Sequence, residues 1–309
     1  MPSIETHNGY PLWHYIPNRP AAIVFVVLFA LMTALHGIRM VRHRMWFCIP
    51  FVTGGVFETI GYLGRVLAYD HTGELIPYVL QSVFLLLAPV FFAATLYMVL
   101  GRVVLYTLTT VNDAAHAHHS VHAVVAASSL SLLPPRWTTR VFVAADVVSF
   151  FIQAGGAGIL VQARSASSSK TGQTVIVGGL VFQLVSFAVF VLSALVFDVR
   201  SRSRKRRQGA SSSPAARNIL AMLYATSLLV MLRNVVRAAE YAAGQDSYLL
   251  AHEWVIYVLD GAPMLAVMAV FAAGYPAALQ HGQRGMQPVA TRASDDVELA
   301  GGRKSNNRT

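Results

Sequence analysis

The chain has 309 residues, of which 55% are apolar and only 12% charged, with a mean hydropathy of +0.52 and a formal net charge of +10. A soluble domain carries about 25% charged residues, so this composition argues against a soluble fold and for one polytopic membrane domain. The positive balance does not mark a nucleic-acid binder, because the basic residues sit mainly between apolar segments, and the single cysteine, Cys48, rules out an intramolecular disulfide and a thiolate zinc site.

Residues 1–19 form a short polar N-terminal segment without the basic region and cleavage site of a signal peptide. Seven apolar stretches follow, at about 20–41, 46–68, 76–105, 138–162, 173–197, 217–242 and 251–273. Crossing the hydrocarbon core takes roughly 20 helical residues, and each stretch is long enough. Helices are expected throughout, because a spanning segment must satisfy its backbone internally and a barrel would show short alternating strands. Pro89 and Pro263 fall in the third and seventh stretches, where each removes a backbone donor and is expected to kink its helix. The longest connection, about 106–137, carries His116, His118, His119 and His122. His118 and His122 have the spacing of a helical metal pair, but no acidic partner accompanies them and a solvated loop is expected. The tail, 276–309, is Gly-, Asn- and charge-rich and expected to be disordered. The expected architecture is an all-α membrane protein, with one seven-helix bundle over 20–275.

Lys and Arg set the orientation. With the N-terminus outside, eighteen basic residues fall on the inner side, among them Arg39, Arg42, Arg44, Arg136, Arg140 and the run at 200–207. Only Arg19, Arg164 and Lys170 fall on the outer side. The expected topology is therefore N-terminus outside and C-terminus cytosolic. Because the basic run lies beside a spanning helix, Arg202, Arg204, Lys205, Arg206 and Arg207 are expected to meet anionic lipid rather than serve as a nuclear signal.

Charged residues recur inside four of the apolar stretches. A charge at mid-membrane costs about 3 kcal/mol or more, so it normally faces a bundle interior or a wet cavity. The second stretch reads FETIGYLGRV, with Glu58, Tyr62 and Arg65 spaced four and three apart on one helical face. The sixth aligns Arg233, Arg237 and Glu240, and the seventh Glu253, Tyr257 and Asp260. The fourth aligns Asp146, Ser149 and Gln153. In the N-out arrangement most of these lie in the outer half, with Glu58 nearer the middle, Gln153 near the centre and Asp146 in the inner half. A polar cavity between helices two, six and seven is expected, open or openable to the outside, where three arginines and four carboxylates nearly neutralise one another. A purely architectural reading stands beside it, since buried ion pairs also fix packing and register. The glycines at 61, 64, 155, 156, 158, 178 and 179 are expected to let helices approach closely.

Catalysis finds little support. GxSxG, HExxH and phosphate-loop patterns are absent from the sequence. Glu58, Asp146 and Asp260 could do acid–base work, but no nucleophile or ligand set accompanies them. Neither enzyme activity, a metal nor a cofactor is expected.

Six segments carry a resemblance: FETIGYLGR at 57–65, LLLAPVFFAATLYMVLGR at 85–102, FVAADVVSFFIQAGGAG at 142–158, GGLVFQLVSFAVF at 178–190, RNVVRAAEYAAG at 233–244 and HEWVIYVLDGAPM at 252–264. In this order they resemble the fungal lipid-translocating exporters, the RTA-like (resistance-to-aminocholesterol) family of seven-helix membrane proteins. The resemblance implies a role in lipid movement, lipid asymmetry or resistance to toxic lipophilic compounds and drugs, some relatives being associated with sphingoid long-chain bases or porphyrins. Matching positions include Glu58, Arg65, Asp146, Gln153, Arg233, Arg237, Glu240, Glu253 and Asp260. The His-rich connection, the short N-terminus and Ala157 depart from the family pattern, leaving substrate choice open. The expected function is translocation of amphipathic lipids, such as sphingoid bases and phospholipids, or of lipophilic toxins. Without a nucleotide-binding motif, transport is gradient-driven or passive. A seven-helix receptor or sensor, with a cytosolic protein partner on the inner loops or tail, is the alternative reading, and an intramembrane lipid enzyme a third. The plasma membrane is the expected location.

Overall fold

The computed structural model describes residues 6–7, 10–11, 13, 15–70, 72–112, 135–162, 166–207, 214–244, 248 and 252–276. A two-residue antiparallel pairing, Thr6–His7 (β1) with Tyr10–Pro11 (β2), precedes the helices. Helix α1 spans Arg19–Arg42, α2 Ile49–Ala68, α3 Leu75–Asn112, α4 Pro135–Val161, α5 Ala166–Arg207 and α6 Pro214–Ala242. A π-helical turn, Ile256–Gly261, runs directly into α7, Ala262–Ala273. Among the described residues, seven helices are long and apolar enough to cross a membrane, as the seven apolar stretches require. The four histidines of the long connection, Arg164 and the tail beyond residue 276 lie outside the described residues.

Two helices outrun their apolar stretches. Helix α3 continues to Asn112 and α5 to Arg207. In α5, Arg202 donates to Asp198 one turn earlier at 2.8 Å. An acid four residues ahead of a base is the favourable order on a helix, and it bridges the change from apolar to basic sequence. Helix α1 starts cleanly: the Asn18 side chain accepts from the Ala21 amide at 3.1 Å, and Pro20 needs no donor in the first turn.

Helix α3 is the central pillar. Its apolar window is 67% buried, against 17% for α1 at the periphery. Helix α3 packs on α2, α4 and α6, while α1 packs on α2 and touches α7. Close approach is built from glycine where it is needed. A Cβ at Gly64 would meet the Gln81 amide nitrogen at 2.9 Å and the Pro77 carbonyl at 3.0 Å, both on α3. A Cβ at Gly156 would meet the Gly172 carbonyl and the Ile176 nitrogen, each at 2.9 Å, between α4 and α5.

The interior combines an aromatic core with buried polar groups. Phe92 and Phe271 both pack on Phe51, with ring centroids 4.8 and 4.1 Å from it. Leu31, Phe151 and Leu228 point outward, whereas Glu58, Arg65, Asp146, Gln153, Arg233 and Asp260 are buried. Apolar outside with ionisable groups inside is the distribution a lipid solvent selects.

Candidate functional site

The charges of α2, α6 and the α7 turn converge in one buried cluster with two halves. In the first half, Arg65 has no exposed side-chain surface and pairs with Glu253 at 2.8 Å. Its Nε donates to the Tyr257 hydroxyl at 2.9 Å, Nη1 to Gln81 at 3.1 Å and Nη2 to the Tyr15 hydroxyl at 3.0 Å. The guanidinium also lies 5.9, 5.2 and 5.1 Å from the ring centroids of Trp13, Tyr15 and Tyr257, within cation–π range. The N-terminal segment completes this half, for the Asn18 amide donates to Glu253 at 2.6 Å.

In the second half, Asp260 is gripped by two arginines. Arg233 Nε donates to Asp260 Oδ1 at 2.5 Å, and Arg237 Nη2 to Oδ2 at 2.6 Å. Arg237 also pairs with Glu240 at 3.3 Å. Arg233 Nη2 donates to the Leu85 carbonyl at 2.6 Å. That contact follows from the sequence of α3: the intrahelical donor for Leu85 would be the amide of residue 89, which is proline and has none. An arginine of α6 therefore satisfies the carbonyl that Pro89 leaves open in α3.

Glu58 and Tyr62 lie beside both halves. Tyr62 donates to the Ile256 carbonyl at 3.3 Å and stacks on Phe25 and Phe29. Glu58 is 1% exposed, and its Oε1 has no hydrogen-bond partner among the described residues. Its charged neighbours are Asp260, Arg233 and Arg237.

A separate polar network joins α3, α4 and α5. Tyr97 donates to Asp146 Oδ2 at 2.7 Å. Ser149 donates to the Gly179 carbonyl at 2.6 Å, and Gln153 Nε2 to Ser149 at 2.7 Å and to Gln183 at 2.9 Å.

Thus nine of the eleven expected positions, Glu58, Tyr62, Arg65, Arg233, Arg237, Glu240, Glu253, Tyr257 and Asp260, come together, while Asp146 and Gln153 belong to the second network. In this arrangement the charges face one another rather than open space, because desolvated opposite charges are stable only when closely paired. The single stripe expected on the seventh helix is divided, with Glu253 and Tyr257 turned to Arg65 and Asp260 to the α6 arginines. Trp13, Tyr15, Asn18 and Gln81 were not legible as site residues. Of these, only Gln81, a polar residue within an apolar stretch, stands out by sequence. On the basic run, Arg202 is exposed and pairs with Asp198, and the side chains of Arg204, Lys205, Arg206 and Arg207 lie outside those described.

The model of the family described as RTA1 like protein matches residues 51–113 and 115–283. The chain belongs to the RTA1-like family. It is 33% identical over 306 residues to Protoporphyrin uptake protein 1 of Saccharomyces cerevisiae, covering 87% of this chain and 93% of that protein. It is 30% identical to Protein RTM1 of the same species, over 89% and 94% of the two chains. Similarity to the Sphingoid long-chain base transporter RSB1 of strain YJM789 is 24%, over 92% and 78%. No solved structure matches. Family membership and seven apolar helices make this RTA1-like chain an integral membrane protein, and its buried cluster joins α2, α3, α6 and the α7 turn within the family's matched region.

Proposed function

We propose that this RTA1-like protein translocates amphipathic molecules, with sphingoid bases, phospholipids and lipophilic toxic compounds as cargo classes. The observation that carries this reading is the buried cluster inside the helix bundle, in which three arginines pair with three carboxylates and Glu58 lies beside them. Ionisable groups at such depth are costly and seldom retained for packing alone. The network offers both signs of charge to a headgroup. An ammonium group engages Glu58 and Asp260, a phosphate engages Arg65, Arg233 and Arg237, and the tail stays in lipid. The relatives named for protoporphyrin uptake and for sphingoid long-chain base transport support the same reading. We place the N-terminus outside and the C-terminus in the cytosol, residues 1–19 and 276–309 flanking the membrane domain, and the protein in the plasma membrane. Arg202, Arg204, Lys205, Arg206 and Arg207 then meet the anionic inner leaflet.

The test is reconstitution of the purified protein in liposomes with a fluorescent sphingoid base and, separately, a fluorescent phospholipid. Protein-dependent movement of one probe is expected. Asp260→Asn, which weakens three charge-assisted hydrogen bonds, should slow it by about tenfold or more. Movement no faster than in protein-free liposomes for both probes would sink the proposal.

A further inference from the structure

Three guanidiniums face four carboxylates in the cluster, and three of the carboxylates account for all three cations. Arg65 is matched by Glu253, Arg233 by Asp260, and Arg237 by Asp260 and Glu240. Glu58 is left over: it is 1% exposed, it forms none of these ion pairs, and its Oε1 has no hydrogen-bond partner among the described residues. From α6, Arg233 and Arg237 act on it, and from the α7 turn Asp260 does, but both arginines already grip Asp260. On α2 itself, Tyr62 lies one turn away and donates elsewhere, and Arg65 is spent on Glu253. The charges acting on it are thus those of α6 and the α7 turn. An ionised carboxylate in this position would be desolvated and lack a counter-ion of its own, a state proteins avoid by neutralising the group. With a proton on Glu58, three positive charges face three negative ones.

We propose that Glu58 is a proton-binding site, filled in this closed arrangement, and that it gives up its proton one-for-one when a cationic headgroup enters the cluster. The proposal rests on the translocator reading and narrows its cargo to amphipaths bearing a single positive charge. The charge balance dictates the exchange. An entering ammonium takes Asp260 and loosens its hold on Arg233. The Glu58 O–H bond then breaks, the proton passes to water, and the electron pair stays on the carboxylate, which takes up the freed guanidinium. One positive charge enters as one leaves, so the cluster keeps its neutrality at each stage. A proton gradient across the membrane thereby becomes the drive for a chain that has no nucleotide-binding motif.

Two measurements on the purified full-length protein test this. The first is infrared spectroscopy at neutral pH. A carboxylic-acid carbonyl band present in the wild type and missing in Glu58→Gln is expected, and Glu58→Asp, which retains a protonatable group, should shift the band. Identical carboxylic-acid bands in wild type and Glu58→Gln would overturn the proton assignment. If the glutamine variant does not fold, an unshifted band in Glu58→Asp does so. The second uses liposomes holding a pH-sensitive dye and a fluorescent trimethylammonium-headed sphingoid probe, which has no titratable proton on its headgroup. One proton should leave the lumen for each probe that enters, and each unit of imposed pH difference, acid inside, should support about a tenfold probe gradient. Glu58→Gln should lose both responses, while Asp70→Asn, at the exposed Arg19–Asp70 pair, should keep them. Probe movement by the wild type with no proton flux would defeat the exchange and leave the translocator reading standing. No movement of this probe, with the phospholipid probe still transported, would defeat the cationic cargo and the exchange alone. No movement of any probe would defeat translocation and the exchange together.

Discussion

The contact between Arg233 and the Leu85 carbonyl can be tested by a double-mutant cycle with Pro89. Arg233→Met removes one of the two arginines that hold Asp260 and the sole side-chain donor to Leu85 among the contacts described above. Breaking a buried ion pair from one side costs about 3–5 kcal/mol. Asp260 keeps Arg237 through two hydrogen bonds, so the lower end, about 3 kcal/mol, applies. The stranded carbonyl adds about 1–3 kcal/mol, for a total of about 4–6 kcal/mol. In a Pro89→Ala background residue 89 regains its amide, which reaches Leu85 in ordinary helical register, and the second contribution disappears. Arg233→Met should therefore cost about 1–3 kcal/mol less in that background. Pro89→Ala alone should be close to neutral, since a carbonyl oxygen has two lone pairs and can serve both donors. The assay is equilibrium unfolding of the four purified proteins in mixed micelles with increasing denaturing detergent. Equal costs of Arg233→Met in both backgrounds, within about 0.5 kcal/mol, would refute the account of why this arginine sits where it does.

Two further substitutions probe other parts of the argument. Gly156→Ala should destabilise the protein by about 1–3 kcal/mol in the same titration, because its Cβ would press on the backbone of α5. At Gly155 next to it a Cβ meets nothing within 4 Å, so alanine there should be neutral or stabilising by up to about 1 kcal/mol through helix propensity. Arg65→Lys keeps the charge but replaces a planar fork that reaches four side chains at once. It should cost about 2 kcal/mol or more and speed chymotryptic cleavage around Trp13 and Tyr15. Cleavage at the wild-type rate would show that the N-terminal segment is held independently of Arg65.

The helices were legible because an apolar run of spanning length has few other fates in a chain of this composition. Their outer limits were not, since α3 and α5 continue past the apolar window into polar sequence, where hydropathy falls but helix does not. The ionisable positions could likewise be located one helix at a time, but their pairing could not. Glu253, Tyr257 and Asp260 fall on one face of an ideal α-helix, and the π-helical turn at Ile256–Gly261 winds more widely and turns Asp260 toward α6. Its one visible sign is Pro263, just beyond the turn, which lacks the amide that would continue a regular ladder. Asp146 and Gln153 lie apart because they pair with α3 and α5 side chains, an arrangement set by helix packing rather than by spacing along α4. Tyr15 and Asn18 lie ahead of the first apolar stretch, where no periodic pattern marks them.

The bond from Asn18 to Glu253 joins residues 235 positions apart, and the Arg65–Glu253 and Arg233–Asp260 pairs also wait on the end of the chain. Helices emerge from the ribosome in order. Arg65 and Arg233 are thus made before either of these partners. Until the seventh helix joins them, these two cations lack the carboxylates that later neutralise them, so the nascent bundle must keep them near water or lipid phosphate. Insertion of the seventh helix delivers Glu253 and Asp260 together and allows the N-terminal segment, synthesised first, to settle last. A nascent chain stalled before residue 253 would hold every arginine of the cluster but lack both of these carboxylates. The cluster is thereby a record of completed synthesis: its neutrality depends on the whole membrane domain being present.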